Sequence, residues 1–306
     1  MRGSFEPRRK RLPHTPTLSP RQDGERETRT SIQTQEKRML VDHHCHLDFP
    51  GLAENLDDVV ARAKAAGVGS MVTISTHIAK IDTLLALTAR HADVWCSVGT
   101  HPHNADHEMH YQTSDIVRLA NAHDKIVAIG EAGLDYFYQK STRENQAEGF
   151  RRHIAAARIT GLPLEIHTRD ADDDTIAILE DEHARGAFPA VLHCYTGGMK
   201  LALRAVELGL YVSFTGVVTF KKNEALRDIV RAVPLDRLLV ETDAPYLAPE
   251  PYRGKPNEPA YVVHTAAAIA RARGTTAAEV AHATTENFFR LYSKAKRPTT
   301  AMKAAE

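Results

Sequence analysis

From residue 39 onward the chain predicts an α/β fold, a (β/α)8 TIM barrel with a metal site at the C-terminal ends of the strands. Three observations predict it. Eight short, β-branched apolar runs alternate with longer amphipathic stretches. Their starts recur about every 20–35 residues, and the whole region approaches the roughly 250 residues typical of such a barrel. Finally, histidines and carboxylates stand where the apolar runs stop, the end of a barrel strand at which function collects.

In chain order the strands are expected at 40–42, 70–74, 95–98, 126–129, 162–166, 190–192, 210–214 and 238–240. Helical periodicity falls at 56–66, 78–91, 114–123, 144–159, 172–183, 201–208 and 223–232. Two further helices, 259–273 and 276–290, follow the eighth strand and are expected to cover the outside. Gly67 and Gly209 close helices ahead of the next strand, and Gly161 does so just before Pro163. Thr276 followed by Glu279 has the pattern of a capping box. No GxGxxG follows the first strand, which argues against a doubly wound open sheet.

The 306 residues, 42% hydrophobic and 25% charged, suffice for one large domain. No apolar run approaches the roughly 18 residues of a membrane span, and no signal-peptide core is present, so a soluble, cytoplasmic protein is expected, with no membrane partner and a monomeric state. Cys45, Cys96 and Cys194 are odd in number and far apart, which leaves neither a disulfide framework nor a CxxC motif. The formal net charge of zero conceals an asymmetry: residues 1–38 hold ten Lys/Arg against five Asp/Glu, leaving 29 basic and 34 acidic residues elsewhere. Three segments are therefore expected. Residues 1–38 read as a disordered basic N-terminal extension, 39–292 as the barrel domain and 293–306 as a flexible C-terminal tail. The extension is expected to reflect an over-extended gene start at Met1 in place of Met39, and its charge to be either a nucleic-acid attraction or a tail with no partner.

Side chains alternate along a strand, so His44 and His46 point the same way, two imidazoles suited to one divalent metal. Asp42 shares their face and is expected to orient an imidazole. Strand 3 runs into His101-Pro102-His103, strand 4 into Glu131, strand 5 into His167, strand 6 into His193 and strand 8 into Asp243. Burying these beside apolar strands is costly unless they are satisfied together, and coordination does so. Six ligands exceed the needs of one open site; two divalent metals sharing a carboxylate use all of them. Glu131 is the expected bridge, with His44, His46 and Asp243 on one ion and His167 and His193 on the other. The nitrogen and carboxylate set suits Zn2+ or Mn2+, and the carboxylates with added waters suit Mg2+. No Lys ends strand 4 or 5, so a carbamylated-lysine bridge is absent.

These residues resemble the TatD family of metal-dependent deoxyribonucleases. The resemblance runs from about Met39 to Tyr292, through Asp42-His43-His44-Cys45-His46, Gly99-Thr100-His101-Pro102-His103, Gly130-Glu131-Ala132-Gly133-Leu134-Asp135-Tyr136, Glu165-Ile166-His167, His193-Cys194-Tyr195 and Glu241-Thr242-Asp243-Ala244-Pro245-Tyr246, to Arg253-Gly254-Lys255-Pro256-Asn257 and Asn287-Phe288-Phe289-Arg290-Leu291-Tyr292. It implies a TIM-barrel hydrolase with His44, His46, Glu131, His167, His193 and Asp243 as ligands of metal ions, Mg2+ foremost. It also implies a nuclease acting on DNA phosphodiesters, with 3′–5′ exonuclease action. His43 replaces the family's frequent Ser, and Glu165 replaces an apolar residue. Glu165 shares a face with His167 and is expected either to intrude on the barrel interior or to be satisfied by an Arg or a water.

For phosphodiester hydrolysis, Glu131, Asp243 and His101 are the catalytic candidates. Asp243 either accepts a proton from the nucleophile or serves as a ligand only. His101 meets a phosphate oxygen or protonates the leaving group, and His103 either joins it or holds a rigid turn beside Pro102. Arg169, Arg253 and Lys255 are candidate phosphate contacts, and Tyr136 and Tyr246 candidate base-stacking surfaces. Single-stranded or end-exposed DNA is the expected partner, because an acidic body does not adhere broadly to duplex. The same metals and fold also serve a binuclear hydrolase of an ester, lactone or aminoacyl bond.

Overall fold

The computed structural model describes residues 39–298 together with Met1 and Gly3. The basic extension expected over 1–38 therefore lies outside the described residues apart from those two, as does 299–306 of the expected tail.

Eight parallel strands pair in sequence order: β1 Leu40–Cys45, β2 Val68–Thr73, β3 Val94–Val98, β4 Ile126–Asp135, β5 Leu164–Arg169, β6 Ala190–Leu192, β7 Tyr211–Phe214 and β8 Leu238–Val240. The sheet closes where β1 meets the segment after β8. Cys45 bridges to Ala244, His46 N–H donates to the Ala244 carbonyl at 2.8 Å, and Asp243 N–H donates to the His44 carbonyl at 2.9 Å. The open-sheet alternative is thereby excluded, and the expected barrel is what the chain forms.

Helices alternate with the strands: α1 Leu56–Ala65, α2 Ile81–Ala89, α3 Thr113–Ala122, α4 Arg143–Thr160, α5 Asp172–Ala184, α6 Met199–Glu207 and α7 Glu224–Ala232. After β8 come α8 Val262–Arg273 and α9 Ala277–Leu291. Gly161, at φ +70°, ends α4 in the left-handed conformation that costs glycine little. The capping box at Thr276 and Glu279 is present, each partner satisfying the other's backbone N–H.

Three strands run further than their apolar runs suggested: β1 to Cys45, β4 to Asp135 and β5 to Arg169. A reading from apolarity stops at the first polar side chain, but the ladder binds backbone, and it continues wherever the polar side chains find partners. The helix expected at 78–91 opens instead with a 3-10 turn, Ile78–Lys80. A one-turn helix at Ala105–Glu108, which periodicity cannot register, follows the His103 turn.

The lumen is layered. Val41, Val72, Trp95, Val127, Val191, Tyr211 and Leu239, mostly from strand starts, pack with Phe288, Leu291 and Tyr292 of α9, so that the last helix floors the barrel. A larger cluster lies between the strands' other faces and the surrounding helices. Close strand approach shapes the other end: a Cβ on Gly133 would overlap the His167 carbonyl, so only glycine lets β4 lie against β5 there. Packed contacts continue past Tyr292. Lys294 Nζ donates to the carbonyls of Ala120 and His123, both at 2.8 Å, and Ala295 is buried.

Candidate active site

The C-terminal ends of the strands surround a mouth of about 1450 Å3. Glu131, from β4, stands at its base, buried and ringed by imidazoles. His193 Nε2 is 2.7 Å and His167 Nδ1 2.9 Å from Glu131 Oε1, His101 Nε2 is 3.4 Å from the same oxygen, and His44 Nε2 is 3.5 Å from Oε2. Asp243, in the turn after β8, faces His46 Nε2 at 3.4 Å and His44 Nε2 at 3.8 Å. The His44 and His193 rings stack at 3.8 Å, inclined by 5°.

All seven side chains expected at the mouth converge there. Their donor atoms form three groups of the compactness a metal ion requires: His44, Glu131 and His193; His44, His46 and Asp243; and His101, Glu131 and His167. His44 Nε2 is buried without a hydrogen-bond partner, although it points at both carboxylates. An orphaned imidazole nitrogen in a set of histidines and carboxylates fits a divalent metal chemically. The grouping differs from the expected one in two respects. His193 falls with His44 around Glu131, and His101 falls with His167.

His101 nevertheless has a distinct place. Its Nδ1 accepts the His103 backbone N–H at 3.0 Å, which puts the proton of the neutral ring on Nε2, the atom facing Glu131. His103, whose turn opens at Pro102, places Nε2 2.8 Å from Asp135 Oδ2, and His167 Nε2 lies 3.1 Å from that same oxygen. Asp135 thus holds His167 in the carboxylate–histidine arrangement that orients metal ligands. Burial alone would raise its carboxyl, but hydrogen bonds from His103 and His167 prevail and keep it well below the usual carboxylate range.

Beneath the mouth lies a layer of charge between it and the apolar floor. Asp42 and Glu165 each precede a mouth residue by two positions on their strand, and Glu241, just past the end of β8, precedes Asp243 by two. Glu165 Oε2 lies 3.2 Å from His44 Nδ1; its Oε1 lies 3.2 Å from His43 Nδ1 and accepts the Tyr292 hydroxyl from the floor. Glu241 Oε1 accepts the Cys194 backbone N–H at 2.6 Å and sits 3.3 Å from His193 Nδ1, while Oε2 is 2.8 Å from His43 Nε2. The imidazole of His43 therefore sits between two carboxylates, each of which also backs one of the stacked rings, and its Nε2 also meets Ser213 Oγ at 2.6 Å.

Burial drives each charged form toward neutrality, and the pairing outweighs it. His43 is held up at about 9 by Glu165 and Glu241, and Glu165 down at about 2 by His43 and His44. Glu131 likewise lies well below the usual range because His193, His101 and His167 surround it. Asp42 is different: burial pushes it up to about 7, and its oxygens accept from Thr242 N–H at 2.8 Å and Thr242 Oγ1 at 2.6 Å. The expectation that Asp42 orients an imidazole is thus corrected; it ties the end of β8 to β1. The expectation that an Arg or a water satisfies Glu165 is corrected too, since two histidines and a tyrosine do so.

The candidate substrate contacts divide. Arg169 lines the mouth, the only Arg or Lys to do so among the described residues, with its guanidinium 4.0 Å from the Phe137 ring and 5.0 Å from Tyr138. Tyr136 also lines it, but Arg143 covers its ring at 3.8 Å and its hydroxyl donates to Asp174 at 2.7 Å, so its face is taken. The aromatic faces left half-exposed at the mouth are those of Phe137, Tyr138 and Tyr246. Arg253 and Lys255 do not line the mouth; Arg253 lies 4.2 Å over Phe220, on the adjoining β7 loop.

A family profile described as TatD related DNase matches residues 41–293, which spans the barrel and every side chain of the mouth. The chain belongs to the TatD family. It is 44% identical over 256 residues to the uncharacterized metal-dependent hydrolase YcfH of Escherichia coli K12, covering 83% of this chain and 95% of that one. To the protein named 3′-5′ ssDNA/RNA exonuclease TatD of Enterobacter lignolyticus it is 38% identical over 263 residues, covering 84% and 100%. Among solved structures, the TatD homologue YjjV of Escherichia coli K12 superposes with a TM-score of 0.78 at 28% identity, covering 84% of this chain and 99% of that one. As a TatD-family member the chain is a metal-dependent hydrolase with a His, Glu and Asp cluster suited to metal binding. Among the described residues no helix is long and apolar enough to cross a membrane.

Proposed function

We propose that the protein is a two-metal nuclease that removes nucleotides from an end of single-stranded DNA. The observation that carries this reading is Glu131, a buried carboxylate shared by two donor groups, at the base of a mouth rimmed by exposed aromatic rings and one arginine. His44, His46, His167, His193 and Asp243 would hold the ions together with Glu131, which belongs both to the group with His44 and His193 and to the group with His101 and His167. Mg2+ is the leading ion, with Mn2+ and Zn2+ as the other fits. Such ions, when bound, lower the pKa of water and neutralise charge on the phosphate and the leaving oxygen.

The chain's own groups do the remainder. Asp243, the more exposed of the two carboxylates, accepts the proton from the attacking nucleophile. His101 donates from Nε2 to a phosphate oxygen, the proton being fixed there by the His103 backbone. Arg169, resting on the Phe137 and Tyr138 rings, contacts a phosphate, and the half-exposed ring of Tyr246 stacks on a base. The mouth opens on one face of a closed barrel, which favours a strand end over a continuous duplex.

The test is a time course on end-labelled single-stranded, duplex and RNA substrates with Mg2+, Mn2+ or Zn2+, beside a panel of esters, lactones and aminoacyl compounds. Stepwise shortening of the single strand is expected. Intact DNA with turnover of the panel would transfer the site to the other hydrolase class.

A further inference from the structure

Charge is distributed unevenly around the mouth. On the β5 side the wall is acidic, with Asp170, Asp172, Asp173 and Asp174 all lining the opening, Asp173 alone of them paired with a cation among the described residues, Lys200 at 2.9 Å. Two and three strands further round, the loops after β7 and β8 carry Lys221, Lys222, Arg253 and Lys255, all exposed, and among the described residues none of the four ion-pairs with a carboxylate. The acid nearest in sequence to the lysine pair, Glu224, is engaged by Arg227 and Arg231. These cations stand out on a body in which acids outnumber bases.

The two loops form one braced strip. Arg227 Nη1 donates to the carbonyls of Val218 and Phe220, at 3.1 and 2.9 Å, and Nη2 to that of Lys221 at 3.1 Å. Glu250 N–H donates to Thr219 Oγ1 at 2.9 Å, and Arg253 rests on Phe220. A Cβ on Gly216 would overlap the Leu247 carbonyl, so the loops touch backbone to backbone. The strip is continuous with the mouth through Val217, Leu247 and the half-exposed ring of Tyr246, all of which line it.

We propose that the strand beyond the scissile phosphate leaves the mouth over Tyr246 and lies along Lys221, Lys222, Arg253 and Lys255, which bind its backbone phosphates. This rests on the nuclease reading and adds to it a path and a direction. A polyanion entering the mouth is repelled by the aspartates after β5 and attracted to the cations after β7 and β8. A preorganised strip spares the ordering of loops on binding. Because the contacts are to phosphate, they carry no base preference.

The test compares wild type with Lys221→Glu/Lys222→Glu on two substrates: a dinucleotide, which reaches only the mouth, and a 20-nucleotide single strand. Dinucleotide cleavage is expected to be unchanged, while KM for the strand rises about tenfold or more and the slope of log KM against log salt becomes shallower by about 0.7 for each lost phosphate contact. Lys221→Ala/Lys222→Ala should give the same changes in smaller measure. Unchanged strand KM and salt slope overturn the strip alone, as does an equal loss on both substrates. Failure of the wild type to cleave either substrate overturns the nuclease reading and the strip with it.

Discussion

Glu165 Oε2 sits 3.2 Å from His44 Nδ1, and through its other oxygen the same carboxylate meets His43 and the Tyr292 hydroxyl, tying the mouth to the floor of the barrel. A histidine held at Nδ1 presents Nε2 in a fixed direction. Replacing Glu165 by Gln keeps the shape and removes the charge. Metal affinity is expected to fall about 10- to 100-fold, the usual cost of losing such a partner, with the fold retained. Isothermal calorimetry with Mn2+ and circular dichroism on the same sample check it; wild-type affinity would deny Glu165 a role in orienting His44.

Tyr292→Phe removes only one donor to Glu165. The expected loss is about 2 kcal/mol of stability, in line with a single buried hydrogen bond to a charged group. Turnover should be little changed, because the tyrosine touches the carboxylate and not the mouth. Chemical denaturation beside a nuclease assay separates the two effects.

Stability of the metal-free protein should depend on pH in a direction fixed by the buried layer. Burial opposes the charge on His43, but Glu165 and Glu241 hold it at about 9, above the usual 6.5, so its contribution is complete below pH 6.5 and is lost as pH rises through 9. Burial likewise opposes the charge on Glu165, but His43 and His44 hold it at about 2, below the usual 4.5, so its contribution is present above pH 4.5 and is lost as pH falls through 2. Thermal midpoints after chelation should therefore decline between pH 6.5 and 9, and should do so at high salt as well, since the pair is screened from solvent. Midpoints that stay flat across that window contradict the pairing.

Metal binding should release protons. Burial lowers His193, yet its carboxylate neighbours hold it up to about 10, and His44 is raised in the same way by Glu131 and Glu165. A ligand nitrogen must be free of its proton, so affinity should increase with pH. Calorimetric titrations in two buffers of different ionisation enthalpy measure the protons released; identical heats would show that none are.

What the sequence made legible followed from strand ends. The histidines and carboxylates of the mouth interrupt apolar runs, and a parallel barrel gathers all such interruptions at one face. Of the charged layer below, Asp42 and Glu165 are legible as sharing faces with His44 and His167, but their partners are not, and Glu241, two residues before Asp243, carries the same spacing signal. His43 escaped for a physical reason. The β1–β2 register shifts between Asp42 and Cys45, and such an irregularity breaks the alternation that would turn His43 away from Glu165. The contacts that hold Tyr136 and Arg253, to Asp174 and Phe220, are not legible in the sequence because those partners are remote along the chain.

The central claim is that Glu131 joins two metal ions into one nuclease site. A titration of metal-free protein with Mn2+, following bound metal and nucleotide release from end-labelled single-stranded DNA together, tests it most directly. Activity should appear as a second equivalent binds, and Glu131→Ala should hold at most one ion and release nothing. Full activity at one equivalent, or undiminished release by Glu131→Ala, would contradict the account.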